Sequence, residues 1–198
     1  MKTKQVLELC AIFLGKEDLL SCSYFTESEE EINEENQKDL NTLLRCLNLI
    51  TSEISTDYLP IYKTKSINFV DNICHLEDVD ENIYQIVKLE DEFGSEIRFK
   101  IIGNDLKANA NTCQITYTSF ATKTTLDGDV ETFSNQMSAR VLAYGTAMEY
   151  SFINSLYDDA SVWESRYKNG LLSISQKKHN LVMPKRRWLW CSIKSHCF

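Results

Sequence analysis

The chain has 198 residues, 43% hydrophobic and 25% charged, a composition that fits an ordinary globular protein: one large domain, or one domain carrying an insertion. Its formal net charge of −8 excludes a surface that binds nucleic acid all over. No stretch approaches the roughly 18 apolar residues of a membrane span. The longest apolar run, Val6 to Leu14, is broken by Glu8 and lacks a signal-peptide cleavage site, so the reading is neither secreted nor membrane-embedded.

The first zone, residues 3–57, is predicted helical. Val6, Leu9, Ile12 and Phe13 recur at three- and four-residue steps, with Gly15 as the stop. Glu17 to Cys22 adds a turn. A longer helix is predicted from about Glu29 to Asp57, with Ile32, Leu40, Leu43, Leu44, Leu47, Ile50 and Ile54 on one face. Ser28 with Glu31 has the form of a capping box, and the surrounding glutamates match the positive end of the helix dipole.

Pro60 changes the regime, because it forces Leu59 into an extended conformation. From Ile61 to about Phe120 the pattern is β. Ile61, Lys63, Lys65 and Ile67 fall on one face, and Tyr62, Thr64, Ser66 and Asn68 on the other. Further short strands are predicted over Tyr84–Leu89, Glu96–Ile102 and Gln114–Phe120, with turns at Phe93-Gly94 and Gly103-Asn104-Asp105. Short strands with turns at this spacing point to a small antiparallel sandwich or barrel.

Leu126–Asp129 reads as a loop, after which helix resumes near Ser134 or Asn135. Met137, Val141, Tyr144, Met148 and Phe152 step along one face, and Ala139, Ala143, Gly145 and Ala147 make this helix slim. A glycine costs a helix interior about 1 kcal/mol relative to alanine, so Gly145 implies close approach of another helix or subunit. A break at Asn154–Tyr157 precedes a last helix starting at Asp158 and Asp159. Trp163, Tyr167 and Ile174 form its buried face, with Lys177, Lys178 and His179 at its negative end. The short break implies an antiparallel helical hairpin. The fold class is therefore α+β: a discontinuous helical domain, residues 1–58 and 126–182, with an inserted β domain, residues 59–125, and a tail, residues 183–198.

No chemistry stands out. There are seven cysteines, Cys10, Cys22, Cys46, Cys74, Cys113, Cys191 and Cys197, irregularly spaced and without a C-x-x-C pair. Cys191, His196 and Cys197 lack a fourth zinc ligand and read as a flexible tail, and the other five cysteines read as small buried hydrophobes in a reducing compartment. His75, His179 and His196 are scattered, and no phosphate-cradling glycine cluster or nucleophile motif occurs. The acidic run Asp71, Asp78, Asp80 and Glu81 reads as a solvated loop. The expectation is a non-enzyme without a cofactor or a metal site.

Charge is uneven along the chain. Acid gathers at Glu27, Glu29, Glu30, Glu31, Glu34 and Glu35. Base gathers at Lys177, Lys178, Lys185, Arg186, Arg187 and Lys194, with no carboxylate side chain after Glu164. The tail sets Lys185, Arg186 and Arg187 beside Trp188, Leu189 and Trp190, residue types that dominate interface hot spots. They dock on another subunit or fold back onto this chain's core; a phosphate-binding use of the three cations is the DNA-binding alternative.

The run Arg140-Val-Leu-Ala-Tyr-Gly-Thr-Ala-Met-Glu-Tyr150, with Leu156-Tyr-Asp-Asp159 and Trp163-Glu-Ser-Arg-Tyr-Lys168, resembles the C-terminal helical hairpin of head–tail adaptor proteins of tailed bacteriophages. That family includes the tail tubular protein A, or gatekeeper, of short-tailed phages. Leu43–Ile50 through Asp57-Tyr-Leu-Pro60, Thr125-Leu-Asp-Gly128 and Lys185-Arg-Arg-Trp188 are similar too. The resemblance implies a dodecameric ring beneath the portal protein that continues the DNA channel and carries tail or nozzle proteins. It implies location in the virion neck after synthesis in the host cytoplasm. It sets side-by-side packing of hairpins on Arg140, Tyr144, Gly145 and Met148. Docking on the portal or a neighbour falls to Lys185, Arg186, Arg187, Trp188 and Trp190. The chain departs from the family in its cysteine content and its Cys191–Phe198 extension.

Overall fold

A computed structural model describes residues 1–26, 32–131 and 137–180, with backbone alone for 175–180. The fold is α+β with a C-terminal helical hairpin. Helix α1 (Thr3–Phe13) ends in a Schellman motif. The Lys16 amide donates to the Ala11 carbonyl at 3.0 Å and the Gly15 amide to Ile12 at 3.2 Å, with Gly15 left-handed at φ 65°. Its buried face is Val6, Leu7, Cys10 and Ala11. Ile12, expected on that face, is 52% exposed. It lies two residues, about 200° of rotation, from Cys10 and so points the other way.

After the single turn α2 (Glu17–Leu20), helix α3 spans Glu34–Glu53. Its start corrects the expected one at Glu29. The cap is Asn33, whose side-chain oxygen accepts from the Asn36 amide at 2.7 Å, and Glu34 and Glu35 occupy the first turn. The proposed box residues Ser28 and Glu31 lie outside the described residues. Asn33→Ala is expected to lower stability by about 1 kcal/mol, read as a shifted urea midpoint at unchanged slope. Most of the predicted stripe is in place: Leu40, Leu43, Leu47, Ile50 and Ile54 are all buried, together with Cys46, whereas Leu44 is only partly buried and Ile32 precedes the helix. The last turn widens into a π-helical turn, Ile54–Tyr58, closed by the Leu59 amide on the Ile54 carbonyl at 2.7 Å. Pro60, lacking an N–H, follows in the extended chain.

The strands form two three-stranded antiparallel sheets. The first is ordered β1 (Ile61–Asn68), β6 (Thr112–Ser119), β3 (Ile83–Glu90); the second β2 (Ile73–His75), β5 (Asp105–Ala108), β4 (Phe99–Ile102). Ile67, Ile86, Leu89, Ile115 and Tyr117 of the first share one core with Cys74, Leu106 and Ala108 of the second. The strand predicted from Glu96 begins only at Phe99, and β2 and β5 were not foreseen. The acidic stretch read as a loop contains a helical turn, α4 (Leu76–Val79). Asp80 behind it is engaged: Tyr117 Oη donates to Asp80 Oδ2 at 2.8 Å and Lys63 Nζ at 3.2 Å. Burial opposes ionisation of Asp80, but these bonds and one from the Asn82 amide prevail and hold its pKa below the usual carboxylate range.

The returning chain is laced to the helices. Asn48 both donates to the Thr124 carbonyl and accepts from its amide (3.2 and 2.8 Å), and the Ala121 amide donates to Ser55 Oγ at 3.1 Å. Thr3 N donates to the Gly128 carbonyl and Val130 N to that of Met1, so the loop is also tied to the start of α1. Helix α5 spans Ala139–Ile153 and α6 Tyr157–Asn180. The expected start near Ser134 lies outside the described residues, and α5 begins at Ala139. Between α5 and α6, Ser155 takes the left-handed conformation (φ 59°) and the Leu156 amide returns to the Ser151 carbonyl at 2.9 Å, a second Schellman reversal. Phe152, expected on the buried face, is 41% exposed in this last turn, where Tyr150 and Ser151 are the buried residues.

Candidate interaction surfaces

Reactive groups are locked into the architecture. Cys10, Cys22, Cys46, Cys74 and Cys113 are free thiols and buried. Burial pushes Cys46 up to about 12 and Cys113 to about 11, which keeps both protonated at neutral pH. Cys10 is pushed higher still and its thiol donates to the Ala143 carbonyl. His75 pairs with Asp105 across β2 and β5 at 2.7 Å on an exposed face. Among the described residues no group of three or more His, Cys, Asp or Glu side chains has the geometry to hold a metal ion. Lys16, Asp39 and Tyr150 form a half-buried network that ties the end of α1 to α3 and α5, with Tyr150 Oη donating to Asp39 at 2.7 Å. No helix among the described residues is long and apolar enough to cross a membrane.

One carboxylate is placed against its own ionisation. Burial raises the pKa of Glu53, and the nearby charges of Glu149 and Asp57 add to it; Tyr167 Oη and Lys168 oppose. A carboxyl pKa raised in the folded state means the fold is penalised at pH above that value and unpenalised below the unfolded one. Glu53→Gln keeps an acceptor for Tyr167 and is expected to be more stable than the parent at pH 7. The gain should shrink to nothing as pH falls towards about 4. Urea midpoints across that range check it; a pH-independent difference would contradict the electrostatic cause.

The hairpin carries the residues expected for subunit packing, and they separate into two groups. Gly145 and Met148 are buried inside the chain, which corrects their assignment to a contact between subunits. A Cβ on Gly145 would lie 2.9 Å from Ile50 Cγ2 of α3 and 3.0 Å from the Tyr167 ring of α6, so the close neighbours it serves are helices of the same chain. Tyr144 and Arg140 face outward. Tyr144 is half-buried in a stack with Phe13 at 5.0 Å and Trp163 at 5.9 Å between ring centroids. The Arg166 guanidinium lies over the Trp163 ring at 5.0 Å and the Tyr144 ring at 5.8 Å. Arg140, one turn before Tyr144, is exposed. Trp163, read as part of a buried face, is partly buried and packs against the helical core from its rim. Sequence reasoning missed Phe13 and Arg166 here. The spacing Trp163-x-x-Arg166 on one helix was the available signal.

Three further surfaces are open. The reversal of the hairpin exposes Phe152, Ile153, Leu156 and Tyr157. Glu17 and Asp18 at the start of α2 and Glu34 and Glu35 at the start of α3 are all exposed; all but Glu34 line a polar cleft of 630 Å³. A second cleft, of 880 Å³, crosses the outer face of the β2-β5-β4 sheet beside Arg98, Lys100 and Lys107. The tail residues Lys185, Arg186, Arg187, Trp188 and Trp190 lie outside the described residues. No protein-family model matches the chain, and no curated protein is significantly similar to it.

Proposed function

We propose that the chain is a structural virion protein, a head–tail adaptor whose copies form a ring, of dodecamer type, between the portal protein and the tail or nozzle proteins of a bacteriophage. The observation that carries this reading is the side face of the α5–α6 hairpin, where Phe13, Tyr144 and Trp163 stack partly buried at the surface, with the exposed Arg166 over them and the exposed Arg140 beside them. Aromatic residues and arginine dominate interface hot spots, and half-buried stacks of this kind are pre-ordered for a partner. The likeness of the same hairpin to the adaptor family supplies the rest. In this reading the chain carries no catalytic group, cofactor or metal, and it meets no membrane. It is made in the host cytoplasm and ends in the virion neck. The net charge of −8 repels DNA, so packaged DNA slides through the ring without sequence-specific binding.

Electron microscopy of the protein mixed with its portal tests the proposal, with mass spectrometry of purified virions beside it. A ring of density under the portal is expected; a protein that stays off the portal and is missing from virions ends the reading. The second reading, a DNA-binding module, is favoured by the run of cations after Glu164. It requires duplex affinity that falls steeply with salt and disappears on replacing Lys185, Arg186 and Arg187. The adaptor reading expects little duplex affinity.

A further inference from the structure

The β2-β5-β4 sheet contains a pairing that costs the isolated chain. Lys100 on β4 stands directly opposite Lys107 on β5, and Lys107 stands opposite Ile73 on β2. Like charges facing each other across a ladder repel, and neutral or opposite pairs are the usual arrangement. Two places further along, the row His75, Asp105 and Ile102 avoids the problem: a hydrogen bond of 2.7 Å joins the imidazole to the carboxylate. The lysine row has no such solution. Among the described residues Lys100, Lys107 and the exposed Arg98 beside them take part in no ion pair and no side-chain hydrogen bond. Asp71 and Glu96 lie on the rim of the same cleft, neither paired with a cation. β4 is also the edge strand of its sheet. Arg98 and Lys100 at this edge, with Lys107 beside them on the central strand, form a cationic rim that admits an anionic surface and disfavours another copy of the same edge.

The anionic counterpart is on the same chain, in the helical body. Glu17 and Asp18 open α2, and Glu34 and Glu35 open α3, all four exposed and none in an ion pair among the described residues. Lys16, which lines the same cleft, is already committed to Asp39. We infer that the Arg98–Lys100–Lys107 face of one copy docks on the Glu17, Asp18, Glu34 and Glu35 face of the next. The two faces belong to different parts of the chain, so the contact is heterologous. Such contacts propagate head to tail and close into a ring when the rotation allows. The inference deepens the ring reading and rests on it for closure. The pairwise contact itself stands on the two charged faces.

Two reversal variants test it: Lys100→Glu with Lys107→Glu, and Glu34→Lys with Glu35→Lys. Circular dichroism checks that each is folded, and the first removes one like-charge pair only to replace it with another. Self-association is followed by sedimentation. The wild-type chain is expected to associate, less so as salt rises. Each variant alone is expected to associate about tenfold or more weakly, since it sets like charges against each other. Mixed one to one, the two variants should recover part of the association, because the reversed positions then meet opposite charges while Arg98, Glu17 and Asp18 keep theirs. A wild-type chain that stays monomeric, reversals without effect, or a mixture that does not recover overturns the inference. So does duplex DNA binding that the lysine reversal abolishes while self-association is unchanged, since the row would then serve phosphates. Rings on the portal that form equally well from the variants would sink this contact and leave the adaptor reading standing. Association through these faces without any portal binding would do the reverse.

Discussion

Tyr167→Ala is expected to lose about 3–5 kcal/mol of stability, the range for deleting a fully buried aromatic ring. Tyr167 is 1% exposed and, among the described residues, is the largest of the fully buried side chains. Its ring fills the space that Gly145 leaves between α5 and α6 and reaches the end of α3, where its hydroxyl donates to Glu53 at 3.5 Å. That bond is at the limit of hydrogen-bond length and contributes little. Tyr167→Phe should therefore cost under about 1 kcal/mol. The contrast between the two variants in urea unfolding separates packing from polarity. Equal losses in both would mean that the hydroxyl, and with it the Glu53 contact, carries the site. The ring also matters beyond the core. It lies on α6 one turn after Trp163, so the Ala variant should loosen the Phe13–Tyr144–Trp163 stack and weaken whatever docks there.

The reach of the sequence can be judged from single residues. The α3 stripe was legible because Leu40, Leu43, Leu47, Ile50 and Ile54 are all apolar and the periodicity admits one solution. Helix α1 offered more apolar residues than one face can hold, and Ile12 was placed wrongly for that reason. Capping is a local contest: Ser28 was read as the cap, whereas the helix is capped by Asn33, five residues on in the same acidic run. The β domain was harder. β2 is three residues long and too short for alternation to register. Its hairpin turn was nevertheless written in Asp71-Asn72, both left-handed at φ 52° and 64° and bracketed by the Val70–Ile73 hydrogen bonds. That pair is a type I′ signal, here hidden by the reading of the aspartates as loop. For the interaction surfaces the sequence showed charge runs and a slim helix. It did not show that Lys100 faces Lys107, because register across a sheet is a long-range fact.

Gly145 is where the sequence and the structure most directly meet, and the sign of its substitution is a contest between two effects. Alanine at this position gains about 1 kcal/mol of helix propensity. Against that, its Cβ would sit 2.9 Å from Ile50 Cγ2 and 3.0 to 3.1 Å from two atoms of the Tyr167 ring. Both neighbours are about 1% exposed, held on separate helices, and neither has a free direction in which to yield. Overpacking of a well-filled core costs about 1–3 kcal/mol, so Gly145→Ala is expected to be a net loss and Gly145→Val a larger one. The Ile50→Ala background decides whether the clash is the cause. Ile50→Ala alone should cost about 2–5 kcal/mol. With the Cγ2 methyl gone, the added Cβ at position 145 meets Tyr167 alone, and the double variant should lose less than the sum of its parts. Additive losses would assign the penalty to Tyr167 or to the backbone. A Gly145→Ala variant as stable as the parent would mean that α3 and α6 can separate at no cost. The glycine would then not be needed for the close approach of three helices, and the slim hairpin would have to be explained from outside the chain.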